Sequence, residues 1–177
     1  MHHQQQLNPW FSMWTKPRAT IQQIIDNNPQ HLVLLLAAIA GFGEVLNRAS
    51  FKSLGDRFEL PYIFIIAAVL GPLLGIIGLY IGSFLFRWVG SWLGGEATTQ
   101  EIRAAIAWAG VLSIWSLLLW LPELALFGQE LFTTATPRID ASPLLAVTLL
   151  GFSLVEIILG LWALVVLLKC LGQVQGF

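Results

Sequence analysis

Leu60-Pro-Tyr-Ile-Phe-Ile-Ile-Ala-Ala-Val-Leu-Gly-Pro-Leu-Leu-Gly-Ile-Ile-Gly-Leu-Tyr-Ile-Gly-Ser-Phe-Leu-Phe86 contains no charged residue. A helix crosses a bilayer with about 20 mostly apolar residues, and this run exceeds that length, so its solvent is lipid. The whole chain agrees. Its 177 residues are 56% hydrophobic and 11% charged, where soluble domains carry about 25% charge. A core cannot hide that shortfall, because a chain of this size leaves much of its surface exposed.

Three further segments compete for the same reading. Ala104 to Leu121 is free of charge. Ala141 to Leu168 is broken only by Glu156 and is too short for two crossings, so it reads as one long tilted helix. Leu32 to Leu46 is shorter and holds Glu44; a start near Gln30 gives it a thin crossing. The expected fold is all-α, a polytopic transmembrane helix bundle of about four spans near residues 30–47, 60–87, 103–122 and 141–168. No loop is long enough for a domain of its own, so residues 1–177 form one membrane domain with a head over 1–29.

That head opens on a loose polar tip with His2 and His3, too few histidines for a metal site. It has no apolar stretch of the signal-peptide kind. Trp10, Phe11 and Trp14 then crowd together as candidate interfacial anchors. Thr15 is placed to cap a helix with Pro17 in its first turn. Ile21, Ile24 and Ile25 share one face of that helix, away from Arg18, Gln22 and Asp26. Such an amphipathic helix either lies in the headgroup layer or docks on the end of its own bundle. Charge codes orientation weakly. With the N-terminus inside, Lys16, Arg18, Arg87, Arg103 and Lys169 face Arg48, Lys52, Arg57 and Arg138 across the membrane, hardly a bias under the positive-inside rule.

Chemistry-bearing features are few. Glu156 sits near the middle of its span, where a carboxylate costs a few kcal/mol and must face the bundle to find a partner. Arg87 and Arg103 are the cations nearest the spans, and Glu44 and Glu123 stand near span ends, where snorkelling to the interface is the simpler reading. Together these five form the candidate intramembrane polar site. Gly71, Pro72, Gly75, Gly78 and Gly82 mark the second span as a packing surface or hinge, since small residues four apart let helix backbones approach; Ala37 and Gly41 offer a matching surface. Gly94-Gly95 breaks the second helix, after which Thr98 or Thr99 caps a third with Glu101 in its first turn. The lone cysteine, Cys170, excludes an intrachain disulfide and reads as a small apolar residue rather than an acylation site. No catalytic set, phosphate loop or metal-ligand spacing is present, and no cofactor is implied. A net charge of −1 gives nucleic acid no footing.

Asn8-Pro-Trp-Phe-Ser-Met-Trp-Thr-Lys-Pro-Arg-Ala-Thr-Ile21 resembles the opening of bacterial Yip1-domain membrane proteins. Further similarity lies in Trp92-Leu-Gly-Gly95, in Glu101-Ile-Arg-Ala-Ala-Ile-Ala-Trp108, and in Trp162 to Phe177 with its Lys169-Cys-Leu-Gly-Gln-Val-Gln-Gly-Phe ending. The resemblance implies a helical bundle, usually of five spans, in the bacterial inner membrane with a cytoplasmic N-terminus and no established enzymatic activity. Here the chain reaches Phe177 where such proteins continue into a final span. Eukaryotic relatives bind small GTPases, but their Asp-Leu-Tyr-Gly-Pro motif is absent, so that role passes to no residue. The leading expectation is a non-enzymatic protein acting by helix association or partner binding in the bilayer, with a second copy or another membrane protein as partner. The alternative is a small transporter or channel with an intramembrane carboxylate.

Overall fold

Asn8 opens the first helix as a cap: its side chain accepts the Trp10 N–H at 3.1 Å and starts a single turn, Pro9–Ser12 (α1). The computed structural model describes residues 7–177; His2 and His3 lie outside the described residues. The amphipathic helix follows as Pro17–Asn27 (α2). Its N-cap is Lys16, which makes no side-chain capping bond, not Thr15. Pro17 at the first helical position needs no N–H there, so the helix begins at the proline and the residue before it takes the cap.

Four helical stretches among the described residues are long and apolar enough to span a membrane. The first is Val33–Phe51 (α3) and the second Leu60–Trp92 (α4), continuous through Pro72. The third, over Thr99–Phe132, is interrupted: Thr99–Ala109 (α5), Val111–Ser116 (α6), Trp120–Phe127 (α7) and a closing 3-10 turn, Gly128–Phe132. A short helix, Pro137–Asp140 (α8), leads into the fourth span, Pro143–Gln175 (α9). The observed spans are longer than the apolar runs. α3 carries Arg48 on its last turns and the third span extends past Pro122 to Phe132, because helices end at caps and turns rather than at the last apolar residue.

The boundaries have local causes. α4 ends before Gly94, whose φ of 84° suits a residue without a β-carbon. Thr98 and Glu101 then form a capping box, with the Thr98 N–H donating to the Glu101 carboxylate at 2.6 Å, a feature worth about 1 kcal/mol. Ser142 caps α9, with Pro143 in its first turn.

Alternating crossings bring the head, the end of α4, the start of α5 and the end of α9 to one side, called here the head end. The loops around residues 52–59 and 128–142 meet at the far end. There Ser50 Oγ donates to the Leu131 carbonyl at 2.6 Å and Gln129 Nε2 donates to the Gly55 carbonyl at 3.1 Å. Asp56 is exposed yet accepts both the Thr134 N–H at 3.0 Å and the Thr134 hydroxyl at 2.7 Å. Those two bonds hold its carboxyl below the ordinary value of 3.8 against the opposing effect of burial, with the charge of Arg57 a lesser aid.

The head docks on the bundle. Ile21 and Ile24 are buried, as is Met13, and α2 packs against α5 and α9. Trp115 Nε1 donates to the Trp10 carbonyl at 3.3 Å and Trp162 Nε1 donates to the Trp14 carbonyl at 3.1 Å. Cys170 lies fully buried, its sulfur 3.6 Å from that of Met13, which is the packing of a small apolar residue. Elsewhere α4 and α9 present leucine, isoleucine and phenylalanine outward along most of their length, a surface matched to lipid.

An intramembrane cavity as candidate functional site

Pro122 shapes the site. It has no N–H to offer the carbonyl four residues back, and its ring crowds the preceding turn. The chain tightens in response. N–H groups of Leu117, Leu118, Leu119 and Trp120 each bond three residues back, at 3.2, 3.1, 2.9 and 3.2 Å. The Leu118 carbonyl takes the Leu121 N–H at 3.3 Å instead. Irregular backbone at membrane depth persists where it is buried in protein or lines a cavity, and this stretch does the latter.

The cavity, of about 1170 Å³, lies between α3, α4, the α5–α6 segment and α9. Its polar wall comprises Glu44, Asn47 and Arg48 from α3, Ser113 and Ser116 from α6, and Ser153 and Glu156 from α9. The rest is apolar. It exists because α4 leans on α3 and α5, whereas α9 leans on α2, α5, α6, α7 and α8. At the head end α4 and α9 are joined by Gln175, whose Nε2 donates to the Phe86 carbonyl at 3.1 Å. Leu74 and Ile77 of α4 and Ile157 of α9 line the cavity while remaining 53%, 53% and 60% exposed. The opening between those helices therefore faces the bilayer.

The glycines divide into two kinds. Gly41, Gly71 and Gly75 seal α3 onto α4: a β-carbon on Gly71 would stand 2.5 Å from Phe42 Cα, and one on Gly41 2.7 Å from Gly75 Cα. Gly78 lines the cavity together with Gly160 of α9, and a β-carbon on either meets nothing within 4 Å. Gly82 is near contact only with Ile106 Cδ1, at 3.8 Å.

A second, smaller chamber of about 210 Å³ adjoins the first toward the far end. Asn47, Ser153 and Glu156 line both, and Ser50, Trp120 and Glu123 line only the smaller one. Glu123 does not snorkel. It is 4% exposed, because the third span continues beyond Pro122 and carries it inward. Glu44 does reach an exposed position, where it pairs with Arg48 at 2.6 Å.

Arg87 and Arg103 are not brought to Glu156. Arg87 donates to the Thr99 hydroxyl at 2.9 Å. Arg103 donates to the Thr99 carbonyl at 3.3 Å and lies 4.8 Å from the centre of the Tyr80 ring. Both sit at the head end and line neither chamber. Trp10 packs edge-on against Trp108 at 5.9 Å and Phe11 against Trp115 at 5.7 Å. The cation at Glu156's cavity is instead Arg48, one residue past the expected end of the first span at 47 and within α3 here. Its one signal is the Glu44/Arg48 spacing of four residues, a helical pair. Ser153 stands three residues before Glu156, on the same face, and carried no signal alone. Among the described residues no three His, Cys, Asp or Glu side chains gather as a metal site.

A family model for the Yip1 domain matches residues 11–177, nearly the whole chain. The chain belongs to the Yip1 family. It is a multi-pass membrane protein of that family, all-helical, with four long apolar helices. None of the curated proteins and none of the solved structures compared with this Yip1-family chain matches it.

Proposed function

We propose that this Yip1-family protein is a non-enzymatic membrane protein that takes an amphiphile from the bilayer into its intramembrane cavity, with Glu156 as the acidic contact for a cationic or zwitterionic head. The carrying observation is that Glu156, near the middle of α9, faces a cavity of about 1170 Å³ that opens between α4 and α9. A buried carboxylate packed against one hydroxyl would favour a purely structural role; a roomy cavity favours a ligand. The apolar lining suits an acyl or aromatic body, and Glu156, Glu44 and Arg48 suit a head that carries an amine, alone or with an anionic group. The buried residues of α9, Val166, Cys170, Leu171 and Gln175, all lie toward the head end. The half of the helix bearing Glu156 has no residue so buried, which leaves a guest room against it. The proposed setting is the bacterial inner membrane with the head in the cytoplasm.

The test uses trimethylammonium-diphenylhexatriene, a fluorescent amphiphile with a cationic head, and energy transfer from the tryptophans of the protein in detergent. Saturable transfer that weakens in Glu156→Gln, while uncharged diphenylhexatriene binds both forms alike, is the expected result. Equal transfer to both probes in both proteins would sink this reading.

Association with a partner helix is the second reading, favoured by the long outward apolar face of α9, including Leu150, Leu154, Leu161 and Leu168. Crosslinking in native membranes that traps a partner on that face, with no probe binding in the cavity, would select it.

A further inference from the structure

We propose that the small chamber between α3, α7 and α9 is a binding site for a hard, oxygen-liganded cation, with the Glu123 and Glu156 carboxylates as its principal ligands. The inference extends the reading above, because Glu156 serves both chambers, but it concerns a different ligand and a different wall.

Glu123 carries the case. The residue is 4% exposed and lines the chamber, and since no carboxylate oxygen of it is both buried and unpartnered among the described residues, what its carboxylate keeps open is the chamber, where no protein donor meets it. The other carboxylate on this wall, Glu156, likewise has no protein partner there. Two carboxylates in such a place repel each other whenever both are ionised, so a bound cation is what would hold the pair in its charged form. No basic side chain lines the chamber. Arg48 is engaged by Glu44 at 2.6 Å with its own side chain 70% exposed, and Arg87 and Arg103 are held at the head end by Thr99.

The remaining donors set the class of cation. Asn47 supplies an amide oxygen, and Ser50 and Ser153 supply hydroxyl oxygens. Ser50 donates its proton to the Leu131 carbonyl at 2.6 Å, which leaves its lone pairs free to accept. The ligand set is all oxygen, without sulfur or imidazole, and that selects hard cations over zinc or copper. A volume of about 210 Å³ is about seven times the share of one liquid water, so an ion would keep part of its hydration, as magnesium does in carboxylate sites.

The full chain is purified in detergent, stripped with chelator into choline chloride, and its thermal transition is followed by tryptophan fluorescence while magnesium, calcium or sodium is added. A saturable rise in Tm with one or more of these ions is expected, lost in Glu123→Gln and kept in Glu96→Gln, an exposed carboxylate that lines neither chamber. The separate arms identify the ion. No rise with any ion, or an undiminished rise in Glu123→Gln, overturns the site. A Tm that follows pH alone, without ion dependence, also overturns it and gives the chamber to a proton. If Glu123→Gln does not fold, Glu123→Asp provides the measurement, with an unchanged ion affinity counting against the proposal. An ion-dependent Tm in a protein that fails to bind the amphiphilic probe upholds this site and rejects only the reading of the large cavity.

Discussion

A β-carbon on Gly75 would collide with the carbonyl oxygen of Ala37, and one on Gly41 with that of Gly71. The glycines of the second span are thus used inside the chain. Lipid tails offer α3 and α4 no hydrophobic reason to separate from or join each other, so close backbone approach supplies the attraction.

Gly75→Leu is expected to destabilise the α3–α4 hairpin by at least 1–3 kcal/mol, roughly the range for overpacking, because the obstructing atoms are backbone. A lowered thermal transition and early aggregation on size-exclusion chromatography in detergent report it. A Tm equal to that of the native protein would show that the seam is looser than described.

Gly78→Leu and Gly160→Leu should behave differently. Their new side chains enter open space that belongs to the cavity. Normal folding with loss of amphiphile binding is expected, read as native Tm beside abolished energy transfer to the cationic probe. Intact probe binding in both variants would move the ligand elsewhere.

At the far end, Asp56 is linked to Thr134, and its folded carboxyl titrates below the ordinary 3.8. A group depressed in the folded state stabilises it above the unfolded value and loses that contribution as pH falls through the folded one. Protection of the Thr134 amide from hydrogen exchange should therefore hold at neutral pH and decline below 3.8. In Asp56→Asn this titration is absent, and protection that still fell over the same range would assign it to another group.

Cys170 reports whether the head is seated. It is covered by Met13 and lies 3.9 Å from the Pro17 carbonyl. Slow maleimide labelling is expected in the native protein. Ile21→Asp, which places a charge in a fully buried position of α2, should accelerate labelling severalfold while α3, α4 and α9 stay folded by circular dichroism. Unchanged labelling would mean that the thiol is shielded by the bundle alone.

How far the chain could be read depended on the kind of signal. The charge-free run 60–86 announced its own crossing, and Thr98 with Glu101 announced the start of the third. Glu156 stood out because no other charge interrupts its span. Glu123 was hidden by Pro122, which looks like a stop but sits in the first turn of α7, where a missing N–H is tolerated. Arg48 falls one residue past the expected first span because apolar residues end before the helix does. The docking of the head is not written in its own sequence, since one amphipathic face fits lipid or protein equally well.

The sequence by itself determined the solvent, the helical class and the number of crossings, because twenty-odd apolar residues have only one stable form in a bilayer, with every backbone group bonded within its own segment. Tertiary structure decided which polar groups meet. Glu156, Glu123, Asn47 and Ser153 come from three helices, and their convergence depends on where α9 leans and how Pro122 bends the third span. Those are packing outcomes between distant segments, fixed by side-chain shape and glycine placement, and no local pattern along the chain records them.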